Sequence, residues 1–266
     1  MTAPDRWTGG DDYERYVGRW SRPVGADFLS WLGEPAGRRW LDLGCGTGAL
    51  TEAVLATWAP VSVIGVDPSA SFVAHARARV RDPRASFLEG AADAIPLPGG
   101  SVDVAVAGLV LNFIPDLAAG LAELRRVVAS RGTIAGYVWD YAGRMELIRR
   151  FWDAASAIDP AAAAADEGSR FPLCAQEPLY SAFTAAGLED VEVRPIEVPT
   201  VFKGFDDYWA PFLSGVAPAP GYAMALEEER RAALREQLRA TLPTETDGSI
   251  HLVARAWAVR GRTGWA

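Results

Sequence analysis

The chain has 266 residues, a length that suits a single α/β domain with insertions. Half of the residues are hydrophobic and 10 are tryptophan, which is enough apolar material for a sizeable core and a binding cavity. The net charge of −8, with no local run of Lys or Arg to offset it, argues against a nucleic-acid substrate and favours a small molecule.

The two cysteines, Cys45 and Cys174, are far apart, and neither has a second Cys or a His near it in sequence. The sequence therefore predicts neither a disulfide framework nor a zinc site. No apolar stretch reaches the roughly 20 residues that cross a bilayer. Residues 1–10 lack the pattern of a leader and predict a loose tail. We expect a cytoplasmic protein without a membrane span.

The first predicted structure is helical and covers residues 11–33. Tyr13, Tyr16 and Trp20 fall at helical spacing. This stretch is predicted to form one or two helices, with a break at Pro23.

Residues 40–48 predict a short buried strand that enters a tight glycine turn, with a helix opening at Ala49. Glycines at alternate positions let the backbone take positive φ and let a ligand approach main-chain N–H groups. The G-x-G-x-G spacing differs from the G-x-G-x-x-G of dinucleotide sites. An acid, Asp42, stands two residues before the first glycine. The three glycines are Gly44, Gly46 and Gly48.

The next strand is predicted over the β-branched run 61–66 and ends on Asp67, 19 residues after Gly48. A carboxylate at such a position can accept both hydroxyls of a ribose. The glycine turn, the acid before it and this second acid together resemble motif I of the class I S-adenosylmethionine-dependent methyltransferases. The resemblance implies S-adenosyl-L-methionine as cofactor and S-adenosyl-L-homocysteine as product.

The same resemblance assigns roles along the chain. Arg19, on a helical cap before the first strand, is a natural partner for the methionine carboxylate. The loop after a third strand at 86–90 grips the adenine. Since Ala91 replaces the usual acid, either Asp93 takes over this contact or backbone groups alone bind the adenine. The end of the fourth strand, with Asn112 beyond it, faces the sulfonium and the acceptor. The implied cofactor-binding residues are Arg19, Asp42, Gly44, Cys45, Gly46, Gly48, Asp67, Pro68, Ala92, Asp93, Gly108 and Leu109.

The rest of the pattern completes a sheet. A fourth strand at 101–107, a helix at 116–128 and a fifth strand at 133–139 give four β/α repeats followed by a strand. A sixth strand at 191–198 and a last strand at 250–259 follow, the last one antiparallel between the fifth and sixth as the resemblance implies. We predict an α/β, Rossmann-like, seven-stranded, mostly parallel sheet with helices on both faces, a helical N-terminal cap and helical lid inserts. The predicted segments are 1–33 (tail and cap), 34–139 (cofactor-binding core), 140–175 (first lid insert), 176–201 (core continued), 202–247 (second lid insert) and 248–266 (last core strand and tail).

Methyl transfer from a sulfonium depends mainly on proximity and orientation. A general base is required only where the acceptor must lose a proton. The candidates near the expected cleft are Asp140, Tyr141, Glu146 and Tyr208. Residues 140–143 are predicted to open a helical stretch, and an acid that opens a helix is more often a cap. A tyrosine in an aromatic cluster is more often part of the wall. No His-Asp pair or carboxylate cluster indicates a metal, so we expect metal independence.

The aromatic residues of the two lid inserts favour an apolar or aromatic acceptor. The pattern is similar to the subgroup of ubiquinone and menaquinone biosynthesis enzymes and natural-product methyltransferases. Two alternatives stay open. A nicotinamide-dependent Rossmann oxidoreductase is disfavoured by the glycine spacing and Asp42, and a catalytically silent cofactor-binding regulatory protein has Ala91 as its support. The sequence leaves the oligomeric state open.

Overall fold

The computed structural model describes residues 17–215 and 217–265. The predictions for residues 1–10, Tyr13 and Tyr16 lie outside these residues. The α-helices are α1 Arg19–Leu32, α2 Ala49–Trp58, α3 Ala70–Arg79, α4 Leu117–Val127, α5 Glu146–Ile158, α6 Glu167–Arg170, α7 Gln176–Ala185, α8 Phe205–Trp209, α9 Pro218–Ala225 and α10 Glu228–Thr241. The strands are β1 Arg39–Leu43, β2 Ser62–Asp67, β3 Ala85–Glu89, β4 Val102–Gly108, β5 Val128–Trp139, β6 Glu189–Phe202 and β7 Ile250–Arg262. Short 3₁₀ helices span Leu111–Phe113, Pro160–Ala164 and Ala210–Leu213.

The described strands form one seven-stranded sheet in the order β3-β2-β1-β4-β5-β7-β6. Parallel pairing joins β1 to β2 and β4, β2 to β3, and β4 to β5. β7 runs antiparallel to β5, because Arg131 N donates to Thr263 O while Asp140 N, beyond the end of β5, donates to Arg255 O. The predicted Rossmann-like sheet, with its last strand between the fifth and sixth, is confirmed. The carboxyl ends of β1, β2 and β4 meet at one edge, where ligands of such sheets bind.

The predicted break at Pro23 is wrong, since α1 continues through this residue. Pro23 is the fifth residue of the helix, so the missing N–H removes only a bond to the first carbonyl of α1. Val24, Phe28 and Leu29 are fully buried beyond it. Their burial stabilises the helix by more than the loss of one terminal hydrogen bond costs.

The expectation of four β/α repeats is also wrong, because no α-helix lies between β3 and β4. A loop makes this connection, with an isolated antiparallel bridge between Ala91 and Ala94. Its backbone is tied down by Glu123, whose carboxylate accepts a hydrogen bond from Ile95 N at 2.9 Å. Arg126 donates to the carbonyls of Ile95 and Leu97. Side chains of α4 therefore satisfy the polar groups that a helix would satisfy internally.

The contacts divide the chain into two compact units. The sheet unit comprises Val24–Val138, Ala175–Ile196 and the residues from Trp257 onward, and Trp40, Phe28 and Leu41 are at its core. The insert unit comprises the residues up to Pro23, Trp139–Cys174 and Glu197–Ala256. The six-segment division derived from the sequence stays a prediction. Within the described residues, none of the helices combines the length and the apolar character that crossing a membrane requires.

The insert unit is held by an aromatic core. Phe151 stacks on Phe212 with ring centroids 4.5 Å apart, and Trp152 meets Phe151 edge to face. Glu167 lies beside this core, 2% exposed, and accepts a hydrogen bond from Trp152 Nε1. Burial raises the pKa of the Glu167 carboxyl to about 7, and the Trp152 hydrogen bond offsets only part of this effect.

We expect Glu167→Gln to stabilise the protein at about pH 8 and not at about pH 5. The Glu167 carboxyl has a pKa of about 7 in the folded protein and of 4.5 in the unfolded chain, so the folded state holds this proton more tightly. The free energy of unfolding of wild type therefore falls as the pH rises from about 4.5 to about 7. The amide keeps an oxygen for Trp152 and does not ionise. Relative to wild type, the free energy of unfolding should therefore rise by about 3 kcal/mol between the two pH values, at about 1.36 kcal/mol per pKa unit.

Urea denaturation of both proteins at both pH values measures this difference, and titrations common to the two proteins cancel. The exposed Glu229 supplies the control Glu229→Gln, for which the same difference should be near zero. An effect of Glu167→Gln that is equal at the two pH values would contradict the assignment.

Candidate cofactor-binding and active site

The glycine turn after β1 has the backbone that the sequence predicts. Gly44, Gly46 and Gly48 have φ of 69°, 50° and 86°, all in the left-handed region. The turn curls over the end of β2, since Gly44 N and Cys45 N both donate to Val66 O, at 2.7 and 3.2 Å. Two successive strand ends are thereby joined at the carboxyl edge of the sheet.

The three glycines serve different needs. A Cβ on Gly44 would lie 2.5 Å from Val110 Cγ2, and one on Gly48 would lie 2.9 Å from Val80 Cγ2. A Cβ on Gly46 would meet no atom within 4 Å. Gly44 and Gly48 are therefore required for packing, whereas Gly46 leaves open space in front of the backbone for a ligand.

Asp67 connects the end of β2 to this turn. Its Oδ2 accepts a hydrogen bond from Gly46 N at 3.0 Å, and its Oδ1 accepts one from Ser69 N at 2.9 Å. The residue is 6% exposed, while the neighbouring Pro68 is exposed. Each carboxylate oxygen has a second lone pair. Asp67 can therefore accept two more hydrogen bonds, as the two hydroxyls of a ribose require.

Asp42 lies deeper, 1% exposed, and accepts a hydrogen bond from the Thr51 hydroxyl at 2.7 Å. Burial raises the pKa of Asp42 to about 6, the Thr51 hydrogen bonds lower it, and the charge of Asp67 adds to the rise. Burial also raises the pKa of the Cys45 thiol, so this side chain stays neutral. Its Sγ lies 3.9 Å from Gly46 O. The sequence analysis did not identify Thr51 as a partner of Asp42. Its position in the first turn of α2, just after the glycine turn, is the signal that could have found it.

The loop after β3 carries the two adenine candidates. Gly90 N donates to Asp67 O at 3.1 Å, which brings the start of this loop to the end of β2. Ala92 is half-buried, and Asp93 is exposed within the bridged turn. Both positions are accessible to a ligand at the carboxyl edge, and their role in adenine binding stays a prediction.

The end of β4 packs directly on the glycine turn through Val110. Leu109 has φ of 59°, a conformation that non-glycine residues adopt at a cost and mostly at functional sites. A Cβ on Gly108 would lie 2.9 Å from Tyr137 Oη, so this hydroxyl lies against the end of the strand. Asn112 Nδ2 is buried and has no hydrogen-bond partner within the described residues. The sequence reasoning missed Tyr137, although its place near the end of the fifth strand was visible.

The catalytic candidates belong to the insert unit, and Asp140 is held in an ion pair. Its Oδ2 accepts from Arg255 Nη2 at 2.6 Å and from Arg144 N at 2.7 Å. The predicted helix opening at Asp140 is wrong. The chain turns there, with Met145 N donating to Asp140 O, and α5 begins at Glu146.

The other three candidates are also engaged. Glu146 accepts a hydrogen bond from Val253 N at 2.8 Å. The Tyr208 hydroxyl, fully buried, donates to Leu147 O at 2.9 Å, and burial raises its pKa. Tyr141 is 5% exposed. These contacts give each side chain a place in the fold, and a catalytic role for any of the four stays a prediction.

Arg19 also lies in the insert unit. Its Nη1 forms an ion pair with Asp207 Oδ1 at 3.2 Å. Its guanidinium carbon lies 4.4 Å from the ring centre of Trp20 and 4.7 Å from that of Phe202. In the part of the chain that the structure describes, no three His, Cys, Asp or Glu residues come together in a group that could hold a metal ion.

The sheet has a glycine turn after β1, an acid that ends β2 and an antiparallel β7 between β5 and β6, which is a Rossmann-like fold. Residues 41–136 match the family described as "Methyltransferase domain". This segment, which holds the glycine turn and Asp67, is similar to methyltransferase domains.

Curated relatives match about half of the chain. An uncharacterised methyltransferase of Mycobacterium tuberculosis is 37% identical over 128 residues, 48% of this chain and 49% of that protein. A trans-aconitate 2-methyltransferase of Methylobacterium radiotolerans is 35% identical over 153 residues, 57% of this chain and 56% of that protein. The chain thus spans about half the length of the curated relatives it matches.

Solved structures share the fold. A methyltransferase from an antibiotic biosynthesis pathway of Anabaena variabilis has a TM-score of 0.61 at 20% identity, over 89% of this chain and 96% of that one. Phosphoethanolamine N-methyltransferase 2 of Haemonchus contortus, in complex with phosphomonomethylethanolamine and S-adenosylhomocysteine, has a TM-score of 0.61 at 16% identity. It is matched over 98% of this chain and 60% of that one. Placement in the ubiquinone and menaquinone subgroup stays a prediction.

Proposed function

We propose that the protein transfers a methyl group from S-adenosyl-L-methionine to a small-molecule acceptor. The observation that carries this proposal is the Asp67 carboxylate, which holds the open Gly46 backbone and has two lone pairs left at the carboxyl edge of the sheet. This donor and acceptor set fits a ribose diol beside a group that approaches main-chain N–H. When bound, S-adenosylmethionine supplies an activated methyl group.

Residues that follow different strands of the sheet unit bind different parts of the cofactor. Asp67 and Pro68 hold the ribose, the glycine turn from Gly44 to Gly48 holds the methionine part, and Ala92 and Asp93 bind the adenine. Asp42 supports the turn from below through Thr51. The position of β4 next to β1 in the sheet supports Gly108, Leu109 and Asn112 as the residues beside the reaction centre.

Orientation supplies most of the rate enhancement, since well-oriented reactants can gain roughly 7–11 kcal/mol. Where the acceptor must lose a proton, Asp140, Tyr141, Glu146 and Tyr208 are the proposed bases, and their surroundings rank them. The raised pKa of the Tyr208 hydroxyl opposes loss of its proton. The Asp140 carboxylate is fixed in position by Arg255 Nη2 and Arg144 N.

The acceptor belongs to one of two chemical classes. The aromatic composition of the two lid inserts favours an apolar or aromatic ring. The trans-aconitate 2-methyltransferases among the relatives favour a carboxylic acid. Both classes are small molecules, which suits the net charge of −8.

Calorimetric titration with S-adenosylhomocysteine tests the donor. We expect binding in the micromolar range, about −8 kcal/mol, and no quenching when NADH is titrated in a fluorescence assay. Absence of S-adenosylhomocysteine binding would overturn the proposal, and NADH binding would support the oxidoreductase alternative. Incubation with labelled S-adenosylmethionine and a panel of phenols, amines, quinols and carboxylic acids then separates an active enzyme from a silent regulatory protein, because only an enzyme labels an acceptor.

A further inference from the structure

Helices α5, α9 and α10 of the insert unit line a cavity of about 190 Å³. Its lining includes Ala155 of α5 and Leu234 of α10, both of which are buried. Ile158 and Leu226 add apolar surface that is partly exposed. A cavity of roughly 150 Å³ can hold one benzene ring, whereas drug-sized ligands occupy roughly 300–1,000 Å³. The volume therefore suits a ligand that consists of a single ring.

Two opposite charges complete the lining of this cavity. Asp159 Oδ2 and Arg230 Nη1 lie 3.9 Å apart, a distance too long for a direct hydrogen bond. Asp159 Oδ1 accepts a hydrogen bond from Ala161 N at 2.9 Å, which fixes the carboxylate at the end of α5. The Arg230 side chain is 68% exposed. The two charged groups are therefore close neighbours with room for a polar atom to bridge them.

The Tyr222 hydroxyl is subject to the same two charges. Burial raises its pKa, the charge of Asp159 adds to this rise, and the charge of Arg230 opposes it. The hydroxyl therefore stays protonated and can both donate and accept a hydrogen bond. The Tyr222 ring packs against Trp152, with the ring centroids 5.3 Å apart, so its position is set by the aromatic core of the insert unit.

We propose that this cavity binds a phenol, a neutral single-ring compound with one hydroxyl group. A hydroxyl between Asp159 and Arg230 donates to the carboxylate and accepts from the guanidinium, and the apolar lining covers the ring. A carboxylate loses against Asp159 what it gains from Arg230, and for an ammonium the two signs are reversed. A charged head group thus gains no net attraction to offset the loss of its hydration. The site requires neither the cofactor nor methyl transfer, and so it goes beyond the proposed function.

Fluorine NMR titration of the wild-type protein tests the chemistry of the ligand. The three probes are para-fluorophenol, para-fluorobenzoate and para-fluorobenzylamine, which share the ring and differ in the head group. We expect a dissociation constant of about 1 mM or lower for para-fluorophenol. The two charged probes should bind at least about tenfold more weakly.

Variants of the charged pair should reverse this preference. Asp159→Asn keeps an oxygen for Ala161 N and leaves Arg230 unopposed, so para-fluorobenzoate should bind about tenfold more tightly than to wild type. Arg230→Met leaves Asp159 unopposed, so para-fluorobenzylamine should gain by a similar factor. Tyr222→Phe should weaken para-fluorophenol about threefold, because it removes one hydrogen-bonding group. Ala155→Leu adds bulk to the lining and should abolish binding of para-fluorophenol.

This pattern of binding would support the site. Wild type that does not bind para-fluorophenol overturns it, and so does binding that Ala155→Leu leaves unchanged, because the ligand then lies elsewhere. The matched control is Asp153→Asn, which removes an exposed carboxylate from the same helix and should bind all three probes as wild type does. Circular dichroism checks the fold of each variant. If Ala155→Leu does not fold, Asp159→Asn still decides, since an unchanged preference among the three probes in this variant overturns the proposal.

Discussion

Replacing Gly44 by alanine is expected to lower the free energy of unfolding by about 2–5 kcal/mol. The left-handed φ of 69° costs an L-residue about 1–2 kcal/mol. The new Cβ would lie 2.5 Å from Val110 Cγ2 and 2.9 Å from Val110 Cβ, an overlap that adds about 1–3 kcal/mol. Val110 is β-branched with a stiff side chain, and its backbone follows the strained Leu109, so it has little room to move. Urea denaturation measures the loss.

Two other glycines in the left-handed region separate the conformational cost from the cost of overlap with Val110. Gly100→Ala, with φ of 64° and no atom within 4 Å of the new Cβ, should show only the conformational cost of about 1–2 kcal/mol. Gly46→Ala should resemble Gly100→Ala in stability and still lose S-adenosylhomocysteine binding, because its methyl group would fill the space in front of the turn. Equal stability losses for Gly44→Ala and Gly100→Ala would contradict the prediction. They would show that Val110 moves away from the new methyl group at no cost.

The sheet and the donor half of the site were predictable because their signals are local. The glycine turn, Asp42 and Asp67 lie within one β-α-β stretch, where chain geometry fixes their relative positions. The lengths of the late strands were less visible. β6 was expected to end at 198, although Val198, Thr200 and Phe202 continue the alternate burial to the end of the strand. Two prolines in this strand concealed the pattern.

The polar contacts of the insert unit could not be predicted from the spacing of residues in the sequence, because they join residues that are far apart in the chain. Asp140 pairs with Arg255 across 115 positions, and Arg19 pairs with Asp207 across 188. No periodicity links such partners. Asp140 was therefore interpreted as a helix-opening acid and possible base, whereas the structure shows that it accepts hydrogen bonds from Arg255 and the Arg144 backbone. Glu167 follows the alanine-rich run 160–165, and its sequence neighbours do not indicate that it is buried.

Asp67→Asn is expected to weaken S-adenosylhomocysteine binding by about 100-fold, or about 2.8 kcal/mol. The carboxylate has two oxygens, which accept from Gly46 N, from Ser69 N and from the ribose hydroxyls. An amide has only one oxygen, so it cannot serve all of these donors. Hydrogen bonds to a charged group contribute about 1.5–3 kcal/mol each, which makes this the largest expected effect on the ligand. Isothermal titration of both proteins measures it.

This loss has two sources, because Asp67 both holds the Gly46 backbone and faces the ligand. A matched ligand pair separates them: 5′-methylthioadenosine and its 2′-deoxy analogue differ by one hydroxyl. Wild type should prefer the ribose form by about tenfold, the equivalent of about 1.4 kcal/mol for one charge-assisted bond. In Asp67→Asn this preference should largely vanish while the deoxy ligand loses less. If both ligands weaken equally, Asp67 acts only by shaping the glycine turn, and the ribose must be held by other groups. The difference in affinity between the two ligands therefore tests the direct contact, because a general loss of structure would weaken both ligands equally.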